Sequence, residues 1–148
     1  LKLTESFGIA RIIYKKEKLE ISSRLGAAIK QNINRNALID TLRGLDITND
    51  GGIEFITDAL VPFKENVTYT GRLSLYKALF YSEADALIGL PNENDWKAVD
   101  AAFDNILAIK LGEYFAVNIN IQVLYDKEID AKTRLKETVG VGINYKFL

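Results

Sequence analysis

Acidic, basic and amide side chains recur at alternate positions through much of this chain. Glu54 and Asp58 are followed by Arg72, then by Asp100, Asp104 and Lys110. Asn118, Asn120 and Gln122 come next, and then Arg134, Lys136 and Lys146. Residues two apart on a strand share a face, so these groups can gather on one side of a sheet. Such a face could line a polar pore that selects solutes by charge. It could also fill a small barrel with mutually paired charges, because buried ions require partners. The balance of 19 basic and 20 acidic residues favours the filled interior.

Bond-breaking chemistry fits less well. Asp100 and Asp104 invite comparison with a general acid and base. Four residues along a strand separate them by roughly 13 Å, too far for a retaining glycosidase pair and long for an inverting one. The chain has no histidine and no cysteine. It therefore lacks the commonest general base, the usual zinc ligand, any thiolate metal site and any disulfide framework. The segment Asp46-Ile47-Thr48-Asn49-Asp50-Gly51 begins like a calcium loop, but its twelfth position is Thr57 where glutamate is required. A polar outer loop turning before Ile53 is the expected form. The expectation is a non-enzymatic chain with no cofactor and no metal.

The elements that must carry these groups show a period of two. In 115–125, Phe115, Val117, Ile119, Ile121, Val123 and Tyr125 alternate with Ala116, Asn118, Asn120, Gln122 and Leu124. The segments 19–31, 53–63, 67–81 and 99–111 repeat the pattern, and 3–14 shows it less regularly, with Arg11 among its apolar positions. In the closing segment 138–148, Val139, Val141, Ile143, Tyr145 and Phe147 oppose Gly140, Gly142, Asn144 and Lys146. The spacing predicts an all-β, antiparallel up-and-down barrel of about seven to eight strands, forming a single domain over 1–148. Tight turns are expected at 15–18, 64–66 and 112–113, alternating with longer loops at 32–51, 82–95 and 126–132. A short helix is expected over 36–44. Single-chain bacterial barrels have even strand numbers. An N-terminal strand is therefore expected to be missing, with a further segment or a partner chain closing the barrel.

Alternation alone leaves open which face meets the interior. Aromatic residues at the ends of apolar rows, namely Phe63, Phe115, Tyr125, Tyr145 and Phe147, suit the girdles of a membrane barrel, and Trp96 suits an interfacial anchor. Ten steps of ~3.3 Å tilted by about 40° give roughly 25 Å, the apolar height required. The net charge of -1 argues against a nucleic-acid partner. No apolar run is long enough for a transmembrane helix, a limit that strands do not share. The expected location is the bacterial outer membrane, in contact with its lipids and lipopolysaccharide. The alternative is a soluble β-barrel with its apolar face inward, binding a small apolar ligand.

Several stretches strengthen this expectation. Trp96-Lys97-Ala98-Val99-Asp100, Asp104-Asn105, the run from Val123 to Ile129 and the closing run from Leu135 to Phe147 resemble the C-terminal part of a Bacteroidota family of outer-membrane barrels. That family is known only as a domain of unknown function. The resemblance implies an architecture and a location, and it brings no catalytic residues. The last strand is also similar to the signal read by the barrel assembly machinery, although Leu148 makes the aromatic Phe147 penultimate.

Overall fold

The computed structural model describes residues 1–39 and 42–143. Seven strands follow one another: β1 (Lys2–Lys16), β2 (Leu19–Ile39), β3 (Leu42–Lys64), β4 (Val67–Tyr81), β5 (Val99–Leu111), β6 (Phe115–Asp126) and β7 (Asp130–Ile143). Each pairs antiparallel with the next in one seven-stranded sheet, in chain order. The up-and-down meander expected from the alternation is present. β1 and β7 are the two ends of this sheet, with no ladder joining them among the described residues.

The register sorts the side chains into two faces. Gly26, Glu54, Tyr76 and Asp100 lie in one row across β2 to β5, and Asp58, Arg72, Asp104, Gln122 and Lys136 lie in another across β3 to β7. The opposite face carries Leu25, Phe55 and Leu75 in one row and Leu107, Ile119 and Val139 in another. Polar and apolar positions thus separate as the period of two requires.

The direction of curl follows from one contact. Lys30 of β2 reaches Asp100 of β5, with 3.0 Å between Nζ and Oδ2. In a flat sheet their Cα atoms would be roughly 20 Å apart, from three strand spacings of ~4.8 Å and four residues of ~3.3 Å. No lysine–aspartate pair spans that distance. The sheet must bend with the polar face inside. Burial agrees: the most deeply buried apolar side chains, Ala28, Ile56, Tyr76 and Ala78, all stand on this inner face. The apolar row points outward, with Leu25 61% and Ile53 48% exposed even on interior strands.

Two expected loops and an expected helix are corrected. The stretch 32–51 is strand, not loop. β2 and β3 continue past their neighbours as a two-stranded ribbon, paired Asn34↔Asp46 and onward to Ile39↔Leu42. The helix expected at 36–44 is likewise replaced by cross-strand pairs, Ala37↔Gly44 among them. Spaced leucines and isoleucines are compatible with either form over so few residues, and pairing along a growing hairpin decides for the strand. The Asp46–Thr57 segment lies inside β3, so neither a calcium loop nor a polar outer loop forms there. At 126–132 the expected loop is a short turn, because β7 starts at Asp130. The Asp126 and Asp130 carboxylates accept backbone N–H bonds from Glu128 and Lys132 and stabilise this turn. The strict alternation of short and long connections therefore fails. Only 82–98 is a long loop among the described residues, and it contains two 3-10 turns, Asp85–Leu87 and Asp95–Lys97.

Close strand approach depends on small inner residues. A Cβ on Gly52 would lie 2.0 Å from the Lys77 carbonyl oxygen, and one on Gly26 would lie 2.4 Å from that of Phe7. Gly140, near the free side of the sheet, has nothing within 4 Å of an added Cβ. Gly52→Ala should therefore cost about 1–3 kcal/mol through backbone displacement. Gly140→Ala should change stability by less than about 0.5 kcal/mol. Urea unfolding of the two variants measures the contrast.

Candidate functional site

The inner face near the loop end holds the densest group of interacting polar side chains. It forms because Lys30, Asp50, Glu54, Tyr76 and Asp100 share one parity across four strands, separated by the small residues Gly26, Ala28, Gly52 and Ala78. Lys30 donates to Asp100, and its Nζ lies 3.4 Å from the Tyr76 ring centroid. The Tyr76 hydroxyl donates to Asp50. Arg24 donates from Nη2 to Glu54 Oε2 at 2.7 Å. A cation over an aromatic face and three charge-assisted hydrogen bonds make this layer rigid.

Loop residues cover the layer. Trp96 packs against Ala28, Tyr76 and Ala78, with its ring 6.3 Å from that of Tyr81 and Lys97 above it at 5.2 Å. Trp96, expected as an interfacial anchor, therefore faces the inner cluster, because the 82–98 loop folds back over the sheet end. The β6–β7 turn is tied to that loop by an ion pair of 2.9 Å between Lys127 and Asp95. Glu128 stands at this mouth. Burial raises its carboxyl above the usual range, as do the nearby Asp126, Asp100 and Asp50 carboxylates, and Lys30 opposes the shift.

The remaining sequence candidates distribute along the inner face. Asp58 and Arg72 approach at 3.6 Å, both about half exposed. Gln122 donates to Asp104. Asn118 lies opposite Ala108 and Gly140, and Lys136 lies opposite Gln122. Two inner atoms, Asn120 Oδ1 and Arg134 Nε, are buried without a hydrogen-bond partner. Lys110 lines an open cavity of about 600 Å³ at the tight-turn end, shared with Lys16, Lys18 and Lys64. The inner face is thus bridged by ion pairs near the loops and carries a larger opening near the turns. Lys146, Tyr145 and Phe147 lie outside the described residues.

The outward aromatics are spread along the strands, with Phe7, Phe55 and Phe103 mid-strand and others near the turns. Phe63 and Tyr69 rings are 6.3 Å apart, and Phe115 is exposed at the start of β6. Tyr125 is half-buried at the loop end, opposite Ala101. Among the described residues, no group of three or more acidic, histidine or cysteine side chains could hold a metal ion. Comparison with protein-family models, with curated proteins and with solved structures finds no match.

The candidates missed from the sequence are Lys30, Arg24, Asp50, Tyr76 and Glu128. Parity places Lys30, Arg24 and Tyr76 on the polar face. Asp50 and Glu128 fell in segments read as loops, and only the pairing of β3 and the closeness of the β6–β7 turn bring them in.

Lys30→Met should destabilise the protein by about 1–3 kcal/mol, because it leaves Asp100 and the Tyr76 ring without their cation in a partly buried site. Arg72→Met should cost less than about 1 kcal/mol, since its partner is distant and solvated. Denaturant titration compares them. For Glu128 the sign follows from its raised value. Its contribution to stability is fully present below the ordinary carboxylate range and is lost as pH rises through the folded pKa. Glu128→Gln should therefore be more stable than the parent at about pH 8 and no more stable at about pH 4. Thermal melts across that range give the measurement.

Proposed function

We propose that this chain is an integral outer-membrane β-barrel protein, non-enzymatic, whose interior is filled by paired charges and carries no open pore. The observation that carries the reading is the inversion of its faces: ion pairs inside, exposed aliphatic and aromatic rows outside. A soluble carrier barrel would line its interior with the apolar rows. Monomeric soluble proteins rarely expose contiguous apolar surface beyond a few hundred Å², and here the apolar face runs across the sheet from Phe7 on β1 to Val141 on β7.

Outward polar groups support the same environment. Ser23 and Thr57 share a hydrogen bond of 2.9 Å, and the Tyr69 hydroxyl donates to Asn105 Oδ1 at 2.6 Å. In hydrocarbon an unpaired hydroxyl or amide is costly, so such pairs suit a lipid-facing surface. Of the outward ionisable residues, Glu5, Arg11 and Glu137 stand on the end strands β1 and β7, and Lys77 stands on β4 between Ile53 and Val99. Strand length is adequate. β6, the shortest at 12 residues, spans roughly 30 Å at a tilt of about 40°. In this reading the outer rows contact membrane lipids and lipopolysaccharide, and the barrel assembly machinery reads the closing strand.

The paired inner layer favours a filled barrel over a solute-selective pore. Lys30, Asp100, Tyr76 and Asp50 occupy the loop end, and Trp96 covers the same cluster.

Lipid contact is measured by tryptophan quenching. In a Trp96→Phe background, Phe103→Trp should be strongly quenched by lipids brominated on the acyl chain, whereas native Trp96 should be quenched weakly. Equal, weak quenching of both would sink the membrane reading. Stable ion-sized steps in planar bilayers would instead refute the filled interior while leaving the location intact.

A further inference from the structure

The ends of the sheet pose a parity problem. Successive strands reverse direction, so in a seven-stranded meander β1 and β7 run the same way. One additional strand running opposite to both would give each edge an antiparallel ladder. The ends come near each other. A single cavity of about 190 Å³ at the loop end touches Leu3 and Thr4 of β1 and also Asp126, Glu128 and Ile129 beside β7. Curl this tight leaves little room for a second seven-stranded copy to join edge to edge.

The inner side of that gap has a defined charge. Arg134 and Lys136 are successive inward residues of β7. Arg134 Nε is buried without a hydrogen-bond partner. Asp104, the carboxylate in the row of Lys136, accepts from Gln122 of the intervening strand. On the other side of the gap, Thr4, Ser6, Gly8 and Ala10 of β1 are neutral and small. Farther along β7, Gly140 leaves open space above the inner face. Direct parallel pairing of β1 with β7 would offer Arg11 a partner in Glu137 on the outside, but the inward residues of β1 would bring Arg134 and Lys136 no carboxylate.

We propose that the gap between β1 and β7 accepts one strand of a partner polypeptide, antiparallel to both edges, with carboxylates at the inward positions opposite Arg134 and Lys136. Main-chain hydrogen bonds supply the affinity of such strand addition, and inward side chains supply its selectivity. A bulky inward residue occupies the space above Gly140. The proposal rests on the curled sheet and the charge of β7. It goes beyond the membrane reading without requiring it.

The test uses the full chain refolded in detergent micelles. Two fluorescent ten-residue peptides of alternating valine and polar residues serve as probes, one with glutamate and one with lysine at the inward positions facing β7. The glutamate peptide should bind about 10-fold more tightly than the lysine peptide, and Arg134→Gln with Lys136→Gln should abolish the preference. Binding of neither peptide, or equal binding of both, would overturn the proposal. So would direct edge pairing. The chain lacks cysteine, which allows a clean scan of Phe7→Cys or Ile9→Cys against Val139→Cys or Val141→Cys. Disulfides need Cα atoms within about 7 Å, a distance met by adjacent strands and not by strands with another between them. Full-yield disulfides within one chain would mean that β1 and β7 pair directly. Disulfides between chains would mean a second copy at the seam. Loss of Phe103→Trp quenching with the peptide preference retained would defeat the membrane reading alone.

Discussion

Lys30 and Asp100 sit on strands three apart in the sheet, yet their side chains share a proton donor and acceptor at 3.0 Å. The remaining structure is organised by what makes that contact possible. The sheet must curl toward the face that bears the charges, and strands must approach closely on that face. Ala28, Gly52 and Ala78 form the row that permits it. Larger side chains there would hold the lysine away from the aspartate and fill the space in which the Tyr76 ring lies beneath the ammonium group. The same bend turns the aliphatic and aromatic rows outward. An electrostatic contact inside thus accompanies an apolar exterior, and the two are consequences of one curvature.

The inner face is uneven along its length. Near the loops, Arg24–Glu54 and Lys30–Asp100 close it, with Trp96 over the cluster. Near the tight turns, a wide vestibule remains, lined by Lys16, Lys18, Lys64 and Lys110 together with Glu17 and Glu65. A filled layer of paired ions contributes modestly to stability, since desolvation offsets much of the attraction. Its larger effect is positional. Lys30 and Arg24 each have a specific partner, so the strands cannot slide without breaking both pairs, and a shift by one residue would place a strand's charges on the apolar side.

The β2–β3 hairpin adds a projecting ribbon that no other strand accompanies beyond Leu1 and Asp50. Among the described residues its ladder from Asn34↔Asp46 outward joins only β2 and β3, while the 82–98 loop and the β6–β7 turn pack over that end of the sheet and are joined by Lys127 and Asp95. The loop end is therefore a composite of ribbon, loop and turn, whereas the other end carries only short turns.

Much of this was legible in the residues. Six alternating segments and three tight turns lie where periodicity and turn chemistry place them. The period of two is local, set by the backbone itself, so one strand's sequence suffices to read it. The loops at 32–51 and 126–132 were misread for the complementary reason. Polar residues such as Asn34, Asp46 and Asp126 suit loops in isolation, and only a paired neighbour satisfies their backbone as strand. Glu54, Asp58, Arg72, Asp100 and Asp104 were assignable to one face by parity, but their pairing was not, because ion pairs between strands depend on register and curl. By itself the sequence determined that there are two faces, one apolar and one charged, and roughly how many strands carry them. Which face lies inside, that Lys30 meets Asp100, and that Trp96 turns inward were decided only by tertiary structure, since curvature is a property of the assembled sheet and of no single strand.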